Sequence, residues 1–142
     1  PRAQRAARQR CGGAGGPGMS GLLGYDHVQL AIPEGGEDRV RAFFVDLIGM
    51  REVPKPDTLS PQGCWFEAGP VSLHIGVDPD FRPATKAHPA FLTDDLDGLR
   101  SRLEAAEVEC RDDKPVKGYR RFFTADPFGN RLEFMQRVGT DS

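Results

Sequence analysis

The chain has few cysteines, no long apolar run and no excess of charge of one sign. Its three cysteines, Cys11, Cys64 and Cys110, are scattered, and none belongs to a Cys-x-x-Cys pair. This argues against a disulfide framework and against a thiolate zinc site. No apolar run approaches the roughly 20 residues that span a bilayer. With 19 basic and 21 acidic residues, the composition offers no general attraction for nucleic acid or an anionic membrane. These absences favour a protein of the reducing cytoplasm.

The length limits the number of domains. A chain of 142 residues can bury one substantial core but is too short for two ordinary domains. Residues 1–18 are rich in arginine and glycine and contain too few apolar residues to contribute to a core. We expect them to be a disordered or non-native extension, although Arg-rich, acid-free segments also occur in transit peptides. The single domain is therefore predicted to span 19–142.

The first half of the patterned chain has the pattern of a strand, a helix and three further strands. Apolar and polar residues alternate in the strands, whereas the helix shows the wider spacing of an apolar helical face. A glycine, Gly49, follows the helix at the position where helices commonly end. The predicted elements are a strand at 25–32, a helix at 37–48 and strands at 52–53, 62–68 and 71–77.

The second half repeats this order. Asp94 or Asp95 is expected to cap its helix. The predicted fold is α+β, with two tandem βαβββ modules, about 24–77 and 87–137, that form a cupped mixed sheet. The predicted elements of the second module are a strand at 87–93, a helix at about 95–107 and strands at 108–111, 119–125 and 131–137.

Candidate site residues fall on one side of this predicted cup. His27 and His88 each lie near the start of a module, 61 residues apart, and the last strands of the modules carry His74 and Glu133. Because side chains alternate along a strand, all four are expected to point away from the core aliphatics. Trp65 is expected either in the core or as a wall of the cup. Histidines and a carboxylate on separate strands form a metal site if the fold brings them together.

Four segments of the sequence carry a resemblance to a known family. They are Asp26–Ala31 (DHVQLA), Phe43–Met50 (FFVDLIGM), Asp94–Asp97 (DDLD) and Asp126–Phe134 (DPFGNRLEF). In combination they resemble the vicinal oxygen chelate superfamily of glyoxalases, bleomycin resistance proteins and ring-cleaving dioxygenases. The resemblance covers about residues 24–137, and it implies the fold rather than the reaction.

The resemblance also implies a divalent metal ion held by the first and last strands of the modules. His27, His88 and Glu133 match a pattern of two histidines and one carboxylate, which suits iron, manganese, nickel or zinc. His74 is a departure, since glyoxalase I-like members carry a glutamate on that strand. It is a candidate fourth ligand, a general base or a buried neutral histidine. His74 and Glu133 are the candidate catalytic residues for proton transfer, and the plainer alternative for Glu133 is an ion pair with Arg131 or with an arginine of the preceding strand.

The function implied by the resemblance is that of a metal-dependent lyase, isomerase or dioxygenase acting on a small substrate with vicinal oxygens. One alternative is a metal-free protein that sequesters an antibiotic, although such members typically lack the ligands that this chain keeps. Another is a fosfomycin-type thiol transferase, for which no loop is recognisable. Small members usually form homodimers, and pairing between chains would place His27 and His74 on one chain and His88 and Glu133 on the other. No nucleic-acid or membrane partner is expected.

Overall fold

The computed structural model describes residues 19–139, and within this range it confirms the predicted α+β fold of two tandem modules. The predicted extension at 1–18 lies outside the described residues. No helix in the described range is long and apolar enough to cross a membrane. The elements are β1 (Val28–Ile32), α1 (Glu37–Arg41), a π-helical segment (Ala42–Leu47), β2 (Arg51–Val53), β3 (Cys64–Ala68), β4 (Val71–Val77), β5 (Ala90–Leu92), α2 (Leu96–Ala105), β6 (Tyr119–Ala125) and β7 (Arg131–Arg137).

The strands form two mixed sheets, one in each module. The first sheet has the order β1-β4-β3-β2, with β1 parallel to β4 and the other neighbours antiparallel. The second has the order β5-β7-β6, with β5 parallel to β7. A parallel pair needs a crossover connection, and each module supplies it with its helix. In these strand orders, β1 and β5 each lie at an edge of their sheet.

One hydrophobic core joins the two modules. The strand register places Leu30 beside Ile75 in the first sheet and Phe91 beside Phe134 in the second. The helices cover these apolar faces, and the core cluster includes buried residues of both modules. Asn130 adds a polar link, because its side-chain Nδ2 donates a hydrogen bond of 2.8 Å to the carbonyl of residue 31 in β1.

Several elements have bounds that differ from the predicted ones. The helix predicted at 37–48 changes to π-type after Arg41, and the amide of Ile48 donates to the carbonyl of Phe43, five residues earlier, at 3.0 Å. The strand predicted at 108–111 is reduced to an isolated bridge between Arg111 and Phe123. Strands β1 and β5 are shorter than predicted, so the two histidines precede them. The expected cap is confirmed at Asp95, whose Oδ1 accepts a hydrogen bond of 3.0 Å from the amide of residue 98.

Candidate functional site

The face of each sheet opposite the core carries the predicted site residues. In the first sheet, Gln29, His74 and Trp65 lie side by side on β1, β4 and β3. In the second, Glu133 on β7 lies beside Phe123 on β6. Directly paired residues project on the same face. The alternation in the sequence therefore assigned His74 and Glu133 to the correct side of their strands, and of the two alternatives for Trp65 the structure shows the face opposite the core.

Three aromatic rings stack on this face of the first module. The ring of His27 lies on that of His74, with centroids 3.8 Å apart and an interplanar angle of 17°. Trp65 covers the other face of His74, at 3.8 Å and 5°. His74 is only 4% exposed. The Nδ1 atom of His27 lies 2.9 Å from a carboxylate oxygen of Asp26. Because a carboxylate only accepts, Nδ1 is the donor there, and the Nε2 atom of His27 is left to bind elsewhere.

The second module brings His88 and Glu133 together directly. The Nε2 atom of His88 lies 2.9 Å from Oε1 of Glu133. The other carboxylate oxygen accepts a hydrogen bond of 3.0 Å from Arg121, which also donates to the carbonyl of Lys114 at 2.6 Å. Glu133 is thus held between a partly exposed histidine and a largely buried arginine. Arg121 is the arginine of the preceding strand that the sequence offered as an alternative partner.

The contacts of His88 favour a cation beside Glu133. The Nδ1 atom of His88 lies 2.9 Å from the carbonyl oxygen of Lys86, which only accepts, so Nδ1 carries a proton. In a neutral ring Nε2 then faces the carboxylate with a lone pair, and two acceptors oppose each other. Either protonation of His88 or a metal ion relieves this opposition. Ligand atoms about 2.1 Å from one ion and at a right angle to each other lie about 3 Å apart, which matches the observed spacing. These residues therefore fit a divalent metal.

The four predicted site residues form two pairs in the single chain. His27 and His74 are in contact in the first module, and His88 and Glu133 in the second. Among residues 19–139, no group of three or more histidine, cysteine, aspartate or glutamate side chains is close enough to hold a metal ion. Each module therefore brings together one pair of the predicted site residues, and the two pairs do not meet in the described part of the chain.

A wide groove of about 1420 Å³ has lining residues from both modules. His27 and His88 both line it, together with Gln29 and with the exposed apolar side chains of Val28 and Leu92. These residues belong to or directly precede the edge strands β1 and β5. The groove thus contains one histidine of each pair and lies along the outer edges of β1 and β5. In the described part of the chain, neither outer edge has a hydrogen-bonded neighbour strand.

Sequence reasoning missed the groups that orient the histidines. Asp26 precedes His27 directly and was read only as part of a motif, and the carbonyl of Lys86 has no side-chain signal at all. Of two consecutive arginines, Arg120 pairs with the exposed Asp97, whereas Arg121 reaches Glu133. Cys64 is buried, and burial raises the pKa of its thiol to about 11, which is typical of an inert packing residue.

Comparison with solved structures shows the same architecture in several proteins. A glyoxalase family protein from Bacillus anthracis is 45% identical, with a TM-score of 0.79 over 82% of this chain and 97% of that one. The fosfomycin resistance protein FosX from Listeria monocytogenes, complexed with Mn(II) and 1S,2S-dihydroxypropylphosphonic acid, is 21% identical, with a TM-score of 0.67 over 84% and 94%. A glyoxalase/dioxygenase from Nostoc punctiforme is 18% identical, with a TM-score of 0.69 over 84% and 95%.

The sequence comparison agrees with the structural one. No curated protein matches the chain. A family model matches residues 24–134, which include both modules and all four site residues. The fold, the motifs and this match lead to one conclusion: the chain belongs to the Glyoxalase/Bleomycin resistance protein/Dioxygenase superfamily.

Proposed function

We propose that the protein is a metal-dependent enzyme, a lyase, isomerase or dioxygenase, whose metal centre forms between two copies of the chain. His27 comes from one copy, and His88 and Glu133 come from the other. The observation that carries the proposal is the opposition of His88 Nε2 and Glu133 Oε1 at 2.9 Å, with the proton of His88 committed to the carbonyl of Lys86. A divalent cation satisfies both atoms at once.

The surroundings of each proposed ligand support this assignment. Metal-binding histidines usually donate their second ring nitrogen to a carboxylate or carbonyl, which orients the ring. His27 has such a contact with Asp26, and His88 has one with Lys86. Glu133 is oriented in the same sense by Arg121. Each of the three proposed ligands is thus oriented by a contact with a neighbouring group, as metal ligands in proteins usually are.

A second copy of the chain is the partner that the groove favours. Unpaired strand edges are surfaces on which another chain can add. Here the edges of β1 and β5 meet the same groove, and exposed Val28 and Leu92 give it apolar contacts. A symmetric pair would set the β1 edge of one copy along the β5 edge of the other, because a two-fold interface uses the same patch twice. Two equivalent centres would result.

The chemistry follows from the ligand set. When bound, a divalent ion polarises substrate oxygens and favours reactions in which negative charge develops on one of them. Three protein ligands leave positions for two adjacent oxygens of a small substrate. Arg121 fixes the position of Glu133 through its hydrogen bond to the second carboxylate oxygen, and the partly apolar groove would hold the substrate beside these residues. A structure of FosX, a protein of the same fold, was determined with Mn(II), which supports the choice of a divalent metal for the proposed centre.

Mixing of variants tests the assignment between chains. His27→Ala and Glu133→Ala should each bind no Mn(II) alone, because every centre in either homodimer lacks one ligand. When the two variants are co-expressed, about half of the dimers should be mixed, and each should hold one intact centre of two. The mixture should therefore bind about one quarter of the wild-type metal, as measured by elemental analysis and Mn(II) titration.

A matched mixture gives the control. His88→Ala with Glu133→Ala damages the same module in both copies, so no intact centre can form and no metal should return. Equal metal in both mixtures, or none in either, would refute a centre shared between chains. A wild type that takes up no Mn(II), Fe(II), Ni(II) or Zn(II) would refute the enzyme and favour metal-free capture of a small molecule.

A further inference from the structure

The ring of His27 depends on the first sheet for its position. His27 lies just before β1, outside the regular ladder, and its side chain is 36% exposed. Its hydrogen-bond partner, Asp26, is the adjacent residue and moves with the same segment. The ring contact that ties His27 to a different strand is the stack on His74. Asp26 orients the ring within its own segment, and the stack on His74 fixes the position of the ring relative to the sheet.

His74 and Trp65 form a rigid support behind that ring. They are direct neighbours in the β3–β4 ladder, and their rings are almost parallel. Both faces of the His74 ring are covered, one by His27 and one by Trp65, and the residue is buried. The His74 ring therefore acts as a spacer that fixes the position of the His27 ring relative to the sheet.

From this geometry we propose that Trp65 and His74 are positioning residues for His27, and that Trp65 reports metal occupancy through its fluorescence. The proposal rests on the proposed function, since it assigns the support of one of its ligands. Residues that orient metal ligands typically change metal affinity about 10–100-fold when they are removed. Trp65 is the only tryptophan in the chain, so its emission can be assigned without ambiguity.

The test measures Mn(II) affinity by electron paramagnetic resonance of free Mn(II) in the full-length dimer. Trp65→Leu removes the outer ring and should weaken Mn(II) binding about 10-fold or more. Trp65→Phe restores a flat ring and should remain within about threefold of the wild type. Phe66→Leu is the matched control, because Phe66 is the next residue of β3 but lies in the core. It should lower the melting temperature and leave the affinity of the folded protein unchanged.

A second variant separates support from ligation. His74→Phe keeps a ring in the stack but has no nitrogen, so it should retain most of the Mn(II) affinity if His74 is a spacer.

In the wild type, Mn(II) should quench the emission of Trp65, and Glu133→Ala should abolish this quenching.

The outcomes distinguish the two proposals. Unchanged affinity in Trp65→Leu, or equal losses in Trp65→Leu and Phe66→Leu, would overturn the positioning role while the metal centre stands. Complete loss of metal in folded His74→Phe would also overturn it, because His74 would then be a ligand. Absence of Mn(II) binding by the wild type would instead overturn the metal centre itself, and the positioning role with it.

Discussion

Two consecutive arginines offer a direct test of the electrostatics around Glu133. Arg121 donates to Glu133, and the two side chains are only 14% and 9% exposed. Arg120 pairs with Asp97, and those side chains are 51% and 75% exposed. Replacing each arginine with glutamine removes the same charge from adjacent positions of β6. We expect Arg121→Gln to destabilise the protein strongly and Arg120→Gln to have little effect.

The expected magnitudes follow from burial. Removing one partner of a buried ion pair typically costs about 3–5 kcal/mol, because the remaining charge is left uncompensated. The Nε atom of Arg121 is buried without a hydrogen-bond partner among the described residues, and its loss relieves part of that cost. We therefore expect about 3 kcal/mol for Arg121→Gln. The exposed pair of Arg120 and Asp97 is screened by water, so its loss should change the free energy of unfolding very little.

Urea unfolding in EDTA measures both free energies, and circular dichroism gives the melting temperatures. At about 4 °C per kcal/mol for a domain of this size, Arg121→Gln should melt about 12 °C below the wild type. A double-mutant cycle with Glu133→Gln should give a coupling energy of about 1.5 kcal/mol or more. If the two arginine variants differ by less than about 0.5 kcal/mol, the buried pair does not stabilise the second module as argued.

Two further predictions concern the core and the link between modules. Burial raises the pKa of the Cys64 thiol from 9.0 to about 11, so the stability it contributes is complete below pH 9 and is lost as the pH rises through 11. Cys64→Ala should flatten the alkaline limb of the stability curve, and iodoacetamide at pH 8 should modify Cys64 at least about 100-fold more slowly than free cysteine. Asn130 is buried, donates to the carbonyl of Ala31 and accepts from the amide of Ala84. Asn130→Ala should cost about 3 kcal/mol in urea unfolding, and a loss below about 1 kcal/mol would contradict this role.

The fold was predictable because most of its information is local. Alternating apolar residues and turn residues located the strands, and the repeat of one element order indicated two modules. The π-helical segment was not predictable, since apolar residues at 40, 43, 44 and 47 fit an ordinary α-helix equally well. The predicted strand at 108–111 is only a bridge between Arg111 and Phe123 of β6. The number of residues that pair with β6 depends on the tertiary structure, which the local sequence pattern does not show.

The face on which the candidate site residues lie was predictable, but their contacts were not. Alternation indicated the face on which His74 and Glu133 lie, because it depends only on neighbouring positions. The stack of three rings requires β4 to lie between β1 and β3 in the sheet. This spatial order differs from the order of the strands along the chain, so the sequence pattern does not show it. Likewise, the choice of Arg121 over Arg131 as the partner of Glu133 depends on where β6 pairs with β7.

The separation of the site into two pairs has a physical reason of the same kind. Each histidine is oriented by a group close to it in sequence, His27 by Asp26 and His88 by Lys86, so the chain encodes the orientation of each histidine locally. In the described part of one copy, β1 and β5 are edges of separate sheets and the two pairs do not meet. In the proposed dimer, the second copy brings them together. If the centre lies between copies, metal binding and dimer formation are linked. Dilution should then weaken Mn(II) binding. Saturating Mn(II) should lower the dimer dissociation constant by the square of the factor by which dimer formation raises the affinity of each centre, because each dimer holds two centres. Sedimentation at several protein concentrations, with and without Mn(II), measures the dimer dissociation constant, and Mn(II) titration at the same concentrations measures the affinity. The linkage would be contradicted if the Mn(II) affinity stayed the same at protein concentrations above and below the dimer dissociation constant.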